Sequence, residues 1–369
     1  MKKNNKNINV WSYLEEYEDY KDDLFDIISD VFSSGQLILG EKVQEFEENF
    51  SKWVGVKHGI GVGNGTDAIK LALLSMDIGK GDEVITVSNT AVPTVSAIIE
   101  TGAKPVFCDV NLDDFNIDTE LVENLITKKT RAIICVHLYG HSANISKILK
   151  ICKEHNLDLV EDCAQSHGSK YKNKLTGSFG KVSAFSFYPT KTLGGFGDGG
   201  MCLTNNSSIN KKIKMLRFYG MKDKYYSEIE NGVNTRLDEV HAAILNYKLK
   251  RLNSDINKRR RIANIYNSEL SDTDLILPIE KKDYFHSYYI YVVRHPNRNK
   301  ILTKLKENNI NLNISYPYPI HSMPPFKKFK KTNMKNTNLL SKEIFSLPMY
   351  PALSIEKVEK TIHTIKKFI

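Results

Sequence analysis

The sequence predicts an α/β protein, with a mostly parallel central sheet sandwiched by helices and a smaller C-terminal α/β unit. Three observations carry that prediction. Short apolar runs alternate with helix-spaced segments between residues 59 and 204, as in strands joined by crossover helices. Near residue 250 the pattern changes: a long helix-like stretch gives way to a strand-like run and a proline-rich segment. The 369 residues, 41% apolar and 26% charged, suit a globular chain with room for a large and a small unit.

Leu14, Tyr17, Leu24, Ile27, Ile28 and Val31 recur at helical spacing over residues 12–32, and Val43, Phe46, Phe50 and Trp53 do so over 41–53. Both stretches read as amphipathic helices. Strands are expected at 59–62, 83–87, 104–109, 131–136, 158–161, 182–187 and 201–204, with helices at 67–75, 93–100 and 145–154 between them. In such a sheet the ligand crevice lies at the carboxyl ends of the strands. Residues 236–252, with Leu237, Val240, Ala243, Ile244 and Tyr247 on one stripe, read as one long helix. Beyond it, 287–294 read as a strand, 300–308 as a helix and 316–326 as a proline-rich loop, and a last helix begins at Ile355. The domain boundary is placed near residue 250, giving units 1–250 and 251–369.

Lys and Arg number 52 against 43 Asp and Glu, a net charge of +9. The charge is spread out, and its densest cluster, Lys327, Lys328, Lys330 and Lys331, sits beside Pro324 and Pro325 as in a solvated loop. No nucleic-acid-binding motif accompanies it, so no nucleic-acid partner is expected. Cys108, Cys135, Cys152, Cys163 and Cys202 are odd in number and widely spaced, which argues against a disulfide framework or a zinc site. No metal is expected. Residues 1–10 lack an apolar signal segment, and no apolar run reaches ~18 residues. The expected setting is the cytoplasm, with no membrane partner.

Three segments carry chemistry. In Ser186 through Gly200 a strand-like run ends, Lys191 follows in a turn, and five glycines crowd the seven residues from Gly194 to Gly200. A lysine in such a turn forms a Schiff base if desolvation favours its free amine; alone, the segment reads equally as a surface turn. Asp162 ends the strand expected at 158–161 and is followed by Cys163-Ala164-Gln165. Alone it reads first as a helix N-cap. Together with a lysine, a carboxylate there matches what pyridoxal phosphate needs: a partner for its ring nitrogen and an amine for its aldehyde. The third segment, Gly61-Val62-Gly63-Asn64-Gly65-Thr66-Asp67-Ala68, is a strand, a glycine-rich turn and a helix start, which suits a phosphate. It matches neither the P-loop nor the dinucleotide fingerprint.

Taken in order with Leu39-Gly40, Pro105-Val106-Phe107, His137-Leu138-Tyr139-Gly140, Asn234-Thr235-Arg236-Leu237-Asp238-Glu239 and Tyr316-Pro317, these segments resemble the DegT/DnrJ/EryC1/StrS family of nucleotide-sugar aminotransferases. The resemblance runs from about Gly35 to Pro319. It implies the type I aminotransferase fold, pyridoxal 5′-phosphate as cofactor, and a large cofactor-binding domain over 1–250. It also implies roles. Lys191 links covalently to the cofactor and shuttles the proton, and Asp162 pairs with the ring nitrogen. Gln165 contacts the 3-hydroxyl, and Ser186, Gly65 and Thr66 hold the phosphate. Asn234 reaches the phosphate of a neighbouring subunit, so a homodimer with shared active sites is expected; read by itself, Asn234 is a loop residue before a helix. Ala91 stands where many relatives carry an aromatic residue that stacks on the cofactor ring, so that face lacks an aromatic lid.

The expected reaction moves an amino group from L-glutamate to a nucleotide-linked keto-6-deoxysugar in bacterial surface-polysaccharide synthesis. The run from Thr90 to Ala97 is similar to members that aminate C3 of a dTDP-linked 3-keto-6-deoxyhexose; the alternative is a 4-keto sugar on UDP or dTDP. Tyr188, Tyr316 and His321 are candidate hexose contacts, and Lys222 or Lys224 candidate diphosphate contacts. Each also has a plain reading, as packed tyrosines or solvated lysines. A family branch with histidine at the lysine position removes a hydroxyl instead, and Lys191 argues against it. Two other classes remain. A ligand-sensing regulator on the same fold would carry a DNA-binding segment, and none precedes Gly35. A dehydrogenase would need the missing glycine fingerprint.

Overall fold

Seven strands form the central sheet of the computed structural model, which describes residues 7–330 and 332–369. They are β1 (His58–Val62), β2 (Glu83–Val87), β3 (Lys104–Cys108), β4 (Thr130–Val136), β5 (Asp158–Asp162), β6 (Val182–Ser186) and β7 (Gly200–Thr204). Their order across the sheet is β1-β7-β6-β5-β4-β2-β3. All pairs are parallel except those of β7, which runs against both neighbours. The reason is local: residues 187–199 join β6 to β7 without a crossover helix, and a parallel return needs one.

Successive side chains on these strands enter opposite faces. Val84, Ile134, Val160, Ala184 and Cys202 pack with α3 (Gly65–Ser75), α4 (Val92–Glu100) and α6 (Ser207–Leu216). Ile85, Ile133 and Cys135 pack with α5 (Ile145–Glu154) on the other face. There Phe185, Met201 and Leu203 also meet α2 (Glu41–Val54) and α7 (Glu239–Leu249). Phe46 and Phe50 are fully buried in that layer; replacing either with alanine would cost about 3–5 kcal/mol. The first helix, α1 (Leu14–Ser34), packs on α7 through Tyr20, Leu24 and Ile244.

The second unit, expected over 251–369, opens with α8 (Leu252–Glu269). In place of the single helix expected over 236–252, α7 ends at Leu249 and α8 starts at Leu252. The α-helical ladder breaks at Arg251, whose N–H donates three residues back to Lys248 O, and a new helix starts. The expected strand over 287–294 shrinks to β8 (Tyr291–Arg294), paired antiparallel with β9 (Ile344–Leu347). Upstream of β8, Tyr288 has φ 48°, and Ser287 N–H donates to Gly140 O in the first unit. Helices α9 (Arg298–Glu307), α10 (Lys335–Glu343) and α11 (Ile355–Phe368) complete this part. The α7–α8 break lies near the expected boundary at 250, although Leu252 and Ile256 of α8 still pack with α2 and α7. The N-terminal strand Ile8–Asn9 nonetheless pairs parallel with Ile310–Asn311 and packs in the second unit's core.

All five cysteines are buried and free. Among the described residues, no helix is long and apolar enough to cross a membrane. Lys327 and Lys328 lie on an exposed 3-10 turn, while Lys331 and residues 1–6 lie outside the described residues.

Candidate active site

The carboxyl ends of β4, β5 and β6 converge because their registers align: Val136 lies opposite Asp162, and Asp162 opposite Ala184. Asp162 is buried. Its Oδ2 accepts a hydrogen bond from Thr94 Oγ1 at 2.8 Å, and its Oδ1 accepts one from Ala164 N–H at 3.1 Å. Burial pushes this carboxyl above the usual range, opposed by these two donors and by the positive charge of Lys191. A desolvated carboxylate with donors on both oxygens is poised to hold a protonated ring nitrogen, the cation that would offset its burial.

Lys191 stands in the turn after β6. Its N–H donates to Tyr188 O at 2.8 Å, and Gly195 N–H closes the loop onto Phe187 O at 2.8 Å. Gly194 is obligatory, since a Cβ there would meet Pro189 O at 2.4 Å. The Lys191 ammonium sits 5.0 Å from the centre of the Tyr289 ring.

The phosphate cradle is the start of α3. Asn64 caps this helix by accepting from Asp67 N–H at 2.8 Å. The N–H groups of Gly65 and Thr66 precede the first intrahelical bond and suit an anion. A Cβ on Gly65 would come within 2.7 Å of Ser186 Cβ. The glycine therefore lets the helix end press against the end of β6. Thr235 ties the next segment to this cradle, donating to Asp67 Oδ2 at 2.6 Å and accepting from Gly63 N–H at 2.8 Å. Its neighbour Asn234 is exposed.

Gln165 is buried, with its Oε1 accepting from Tyr139 N–H at 2.9 Å and its Nε2 donating to Tyr316 Oη at 2.5 Å. Tyr316 thus reaches in from the second unit and stacks on Tyr139, centroids 6.0 Å apart. Ala91 is half-buried at the cap of α4. A cavity of about 210 Å³ opens between the units, lined by Thr190, Tyr289, Asn313, Ser315 and Tyr316.

The structure therefore gathers Lys191, Asp162, Gln165, Ser186, Gly65, Thr66 and Tyr316 at one edge of the sheet. The other expected contacts are exposed or already paired. Tyr188 is 51% exposed. His321 is buried with both ring nitrogens engaged, Nδ1 with Ser88 Oγ at 2.7 Å and Nε2 with Asn338 Oδ1 at 3.1 Å. Lys222 pairs with Glu228 at 3.0 Å and Lys224 lies over Tyr225, both on the exposed hairpin around residues 221–227. Sequence reasoning missed Thr94, Tyr139 and Tyr289. Thr94 looks like one more residue of a short apolar helix, and only the fold brings it to Asp162.

His137, Glu161 and Cys163 cluster closely enough to suggest a metal site. Their hydrogen bonds assign them a structural task instead. Glu161 accepts from the N–H groups of Gly177, Phe179 and Gly180 and pairs with His137 Nε2, while His137 Nδ1 accepts from Ala143 N–H.

Known proteins resemble the chain over nearly its whole length. The chain is 45% identical, over 98% of both chains, to a dTDP-3-amino-3,4,6-trideoxy-α-D-glucose transaminase of Micromonospora megalomicea. It is 39% identical to a dTDP-3-amino-3,6-dideoxy-α-D-galactopyranose transaminase of Aneurinibacillus thermoaerophilus, covering 95% of this chain and 96% of that one. The crystal structure of S. venezuelae DesV superposes with a TM-score of 0.95 at 34% identity, covering 98% of each chain. The model of the DegT/DnrJ/EryC1/StrS aminotransferase family matches residues 18–366, so the chain belongs to that family and is a pyridoxal-phosphate-dependent aminotransferase.

Proposed function

We propose that this protein transfers the amino group of L-glutamate to C3 of a dTDP-linked 3-keto-6-deoxyhexose, supplying an amino sugar for a bacterial glycan. The observation that carries the substrate class is the likeness, over nearly the whole chain, to two transaminases named for 3-amino dTDP-sugars. When bound, pyridoxal phosphate supplies an electron sink for the carbon that gains or loses the amino group. The chain's own residues do the rest. Lys191 carries the proton to and from that carbon, as nucleophile and general acid–base in one. Asp162 keeps the ring nitrogen protonated, Gln165 meets the ring's 3-hydroxyl, and Gly65, Thr66 and Ser186 hold the phosphate. Tyr316 and the cavity beside it offer a place for the hexose; Lys222 and Lys224, on the exposed hairpin at 221–227, offer positive charge to the diphosphate.

Two copies share the work in this reading. Phe25, Phe32, Leu37 and Ile38, on and just after α1, are each 47–63% exposed, and large apolar side chains exposed along one segment suit a protein contact. Asn234 is exposed beside the cradle, where a second subunit's phosphate would lie within reach of a dimer contact. Free, buried cysteines suit the reducing cytoplasm.

The test is a panel of nucleotide ketosugars with L-glutamate as donor, read as 2-oxoglutarate formed. Turnover of the dTDP-3-keto sugar above its UDP- and 4-keto counterparts supports the reading. Turnover of 4-keto sugars alone would overturn it.

A further inference from the structure

We propose that Tyr289 is a positioning residue for Lys191, its ring taking up the free ammonium and its hydroxyl, tied to Thr190, holding ring and lysine turn in one pose. The inference rests on the reading of Lys191 as the reacting lysine. Lysine is a compact charge on a flexible stem, so a free Lys191 needs a resting place close to where it reacts. The nearby carboxylate of Asp162 is a poor one. An ion pair there would hold the ammonium firmly and take Asp162 from its own task.

The geometry supplies an uncharged alternative. Lys191 Nζ lies 5.0 Å from the centre of the Tyr289 ring, within the range at which an aromatic face attracts a cation. Tyr289 Oη and Thr190 Oγ1 are 3.1 Å apart, so the ring is fastened to the residue next to the lysine. The backbone behind the ring is clamped from two sides. On one side the buried Arg259 of α8 donates to the carbonyls of Tyr289 and Met349, each at 3.0 Å. On the other, Gly140 at φ 98° allows an approach so close that a Cβ would lie 2.8 Å from Tyr289 N. Ser287 N–H and Ser169 Oγ both donate to Gly140 O, at 3.0 and 2.6 Å. The second unit therefore delivers a fixed ring to a lysine of the first.

The test uses the full chain loaded with pyridoxamine 5′-phosphate, which leaves the Lys191 amine free. Acylation of Lys191 by acetic anhydride near neutral pH is followed by peptide mass spectrometry. Losing the ring releases the amine from its docked pose, so Tyr289→Leu should label about fivefold faster. Tyr289→Phe, which keeps the ring, should stay within about twofold of the parent. Unchanged labelling in Tyr289→Leu would overturn the proposal. So would equal acceleration at Lys248, the half-buried lysine of α7, because that would report general loosening. Borohydride trapping of pyridoxal phosphate on Lys191 separates the two readings. Its failure in the parent chain counts against the assignment of Lys191, whereas normal trapping with unchanged acylation counts against Tyr289 alone.

Discussion

Replacing Thr94 with valine removes one hydroxyl from a buried carboxylate and should shift the pH dependence of the enzyme. Thr94 Oγ1 donates to Asp162 Oδ2 at 2.8 Å, and among the described residues the one other donor to that carboxylate is Ala164 N–H. A hydrogen bond to a charged group contributes about 1.5–3 kcal/mol, and one pH unit corresponds to about 1.4 kcal/mol. The Asp162 carboxyl, already raised by burial, should therefore climb a further one to two units. Since the ionised form is needed to hold the ring nitrogen, the acid limb of kcat/KM against pH should move up by about that amount. Rates should recover toward the parent value at alkaline pH, and Thr94→Ser should restore the parent profile. The sign for stability agrees. Folding raises this carboxyl, so its contribution is favourable below the unfolded carboxylate range and is lost as pH rises through the folded value. In Thr94→Val that loss is larger at neutral pH and completes at a higher pH. A profile that drops uniformly without moving along the pH axis would refute the reasoning.

Three other outcomes are expected. Gly65→Ala drives a Cβ to 2.7 Å from Ser186 Cβ; it should weaken cofactor retention at least tenfold in equilibrium dialysis and lower stability by about 1–3 kcal/mol. Glu161→Gln places an amide NH₂ among three backbone N–H donors; urea denaturation should show a loss of about 2–4 kcal/mol, and an unchanged midpoint would contradict the structural reading of the His137–Glu161 pair. Phe32→Asp, at a residue 63% exposed on α1, should shift sedimentation from dimer to monomer and lower activity with it; a monomeric parent protein would remove the basis of the shared site.

The sheet was legible in the sequence because each strand is a short apolar run bounded by polar turns. Expected and observed strands agree within a residue or so, from β2 at Glu83–Val87 to β7 at Gly200–Thr204. The direction of β7 was not legible, because periodicity says nothing of orientation; only the missing crossover helix between Ser186 and Gly200 hinted at it. Helix α8 escaped notice because its buried stripe, Leu252, Ile256, Arg259, Ile262, Ala263 and Tyr266, carries a fully buried arginine in mid-stripe. That arginine is buried because it binds three carbonyls distant in sequence. The pairing of Ile8–Asn9 with Ile310–Asn311 crosses almost the whole chain and leaves no local trace.

The same contrast divides the site. Lys191, Asp162 and Gly65 lie in segments that each read ambiguously alone, and their ordered combination of strand end, turn and glycine announces them. Thr94 and Tyr289 act through neighbours on other elements, and each looks like ordinary packing in its own segment. His321 shows the opposite case: a histidine beside prolines invites a ligand-contact reading, and the fold gives both of its nitrogens partners in Ser88 and Asn338.

The account stands on the bond between Lys191 and the cofactor. Its most direct measurement is peptide mapping by mass spectrometry after borohydride reduction of the pyridoxal-phosphate-loaded protein. The predicted result is one reduced phosphopyridoxyl adduct per chain, on the peptide containing Lys191, and none in Lys191→Ala. An adduct on a different lysine, or none in the parent protein, would contradict it.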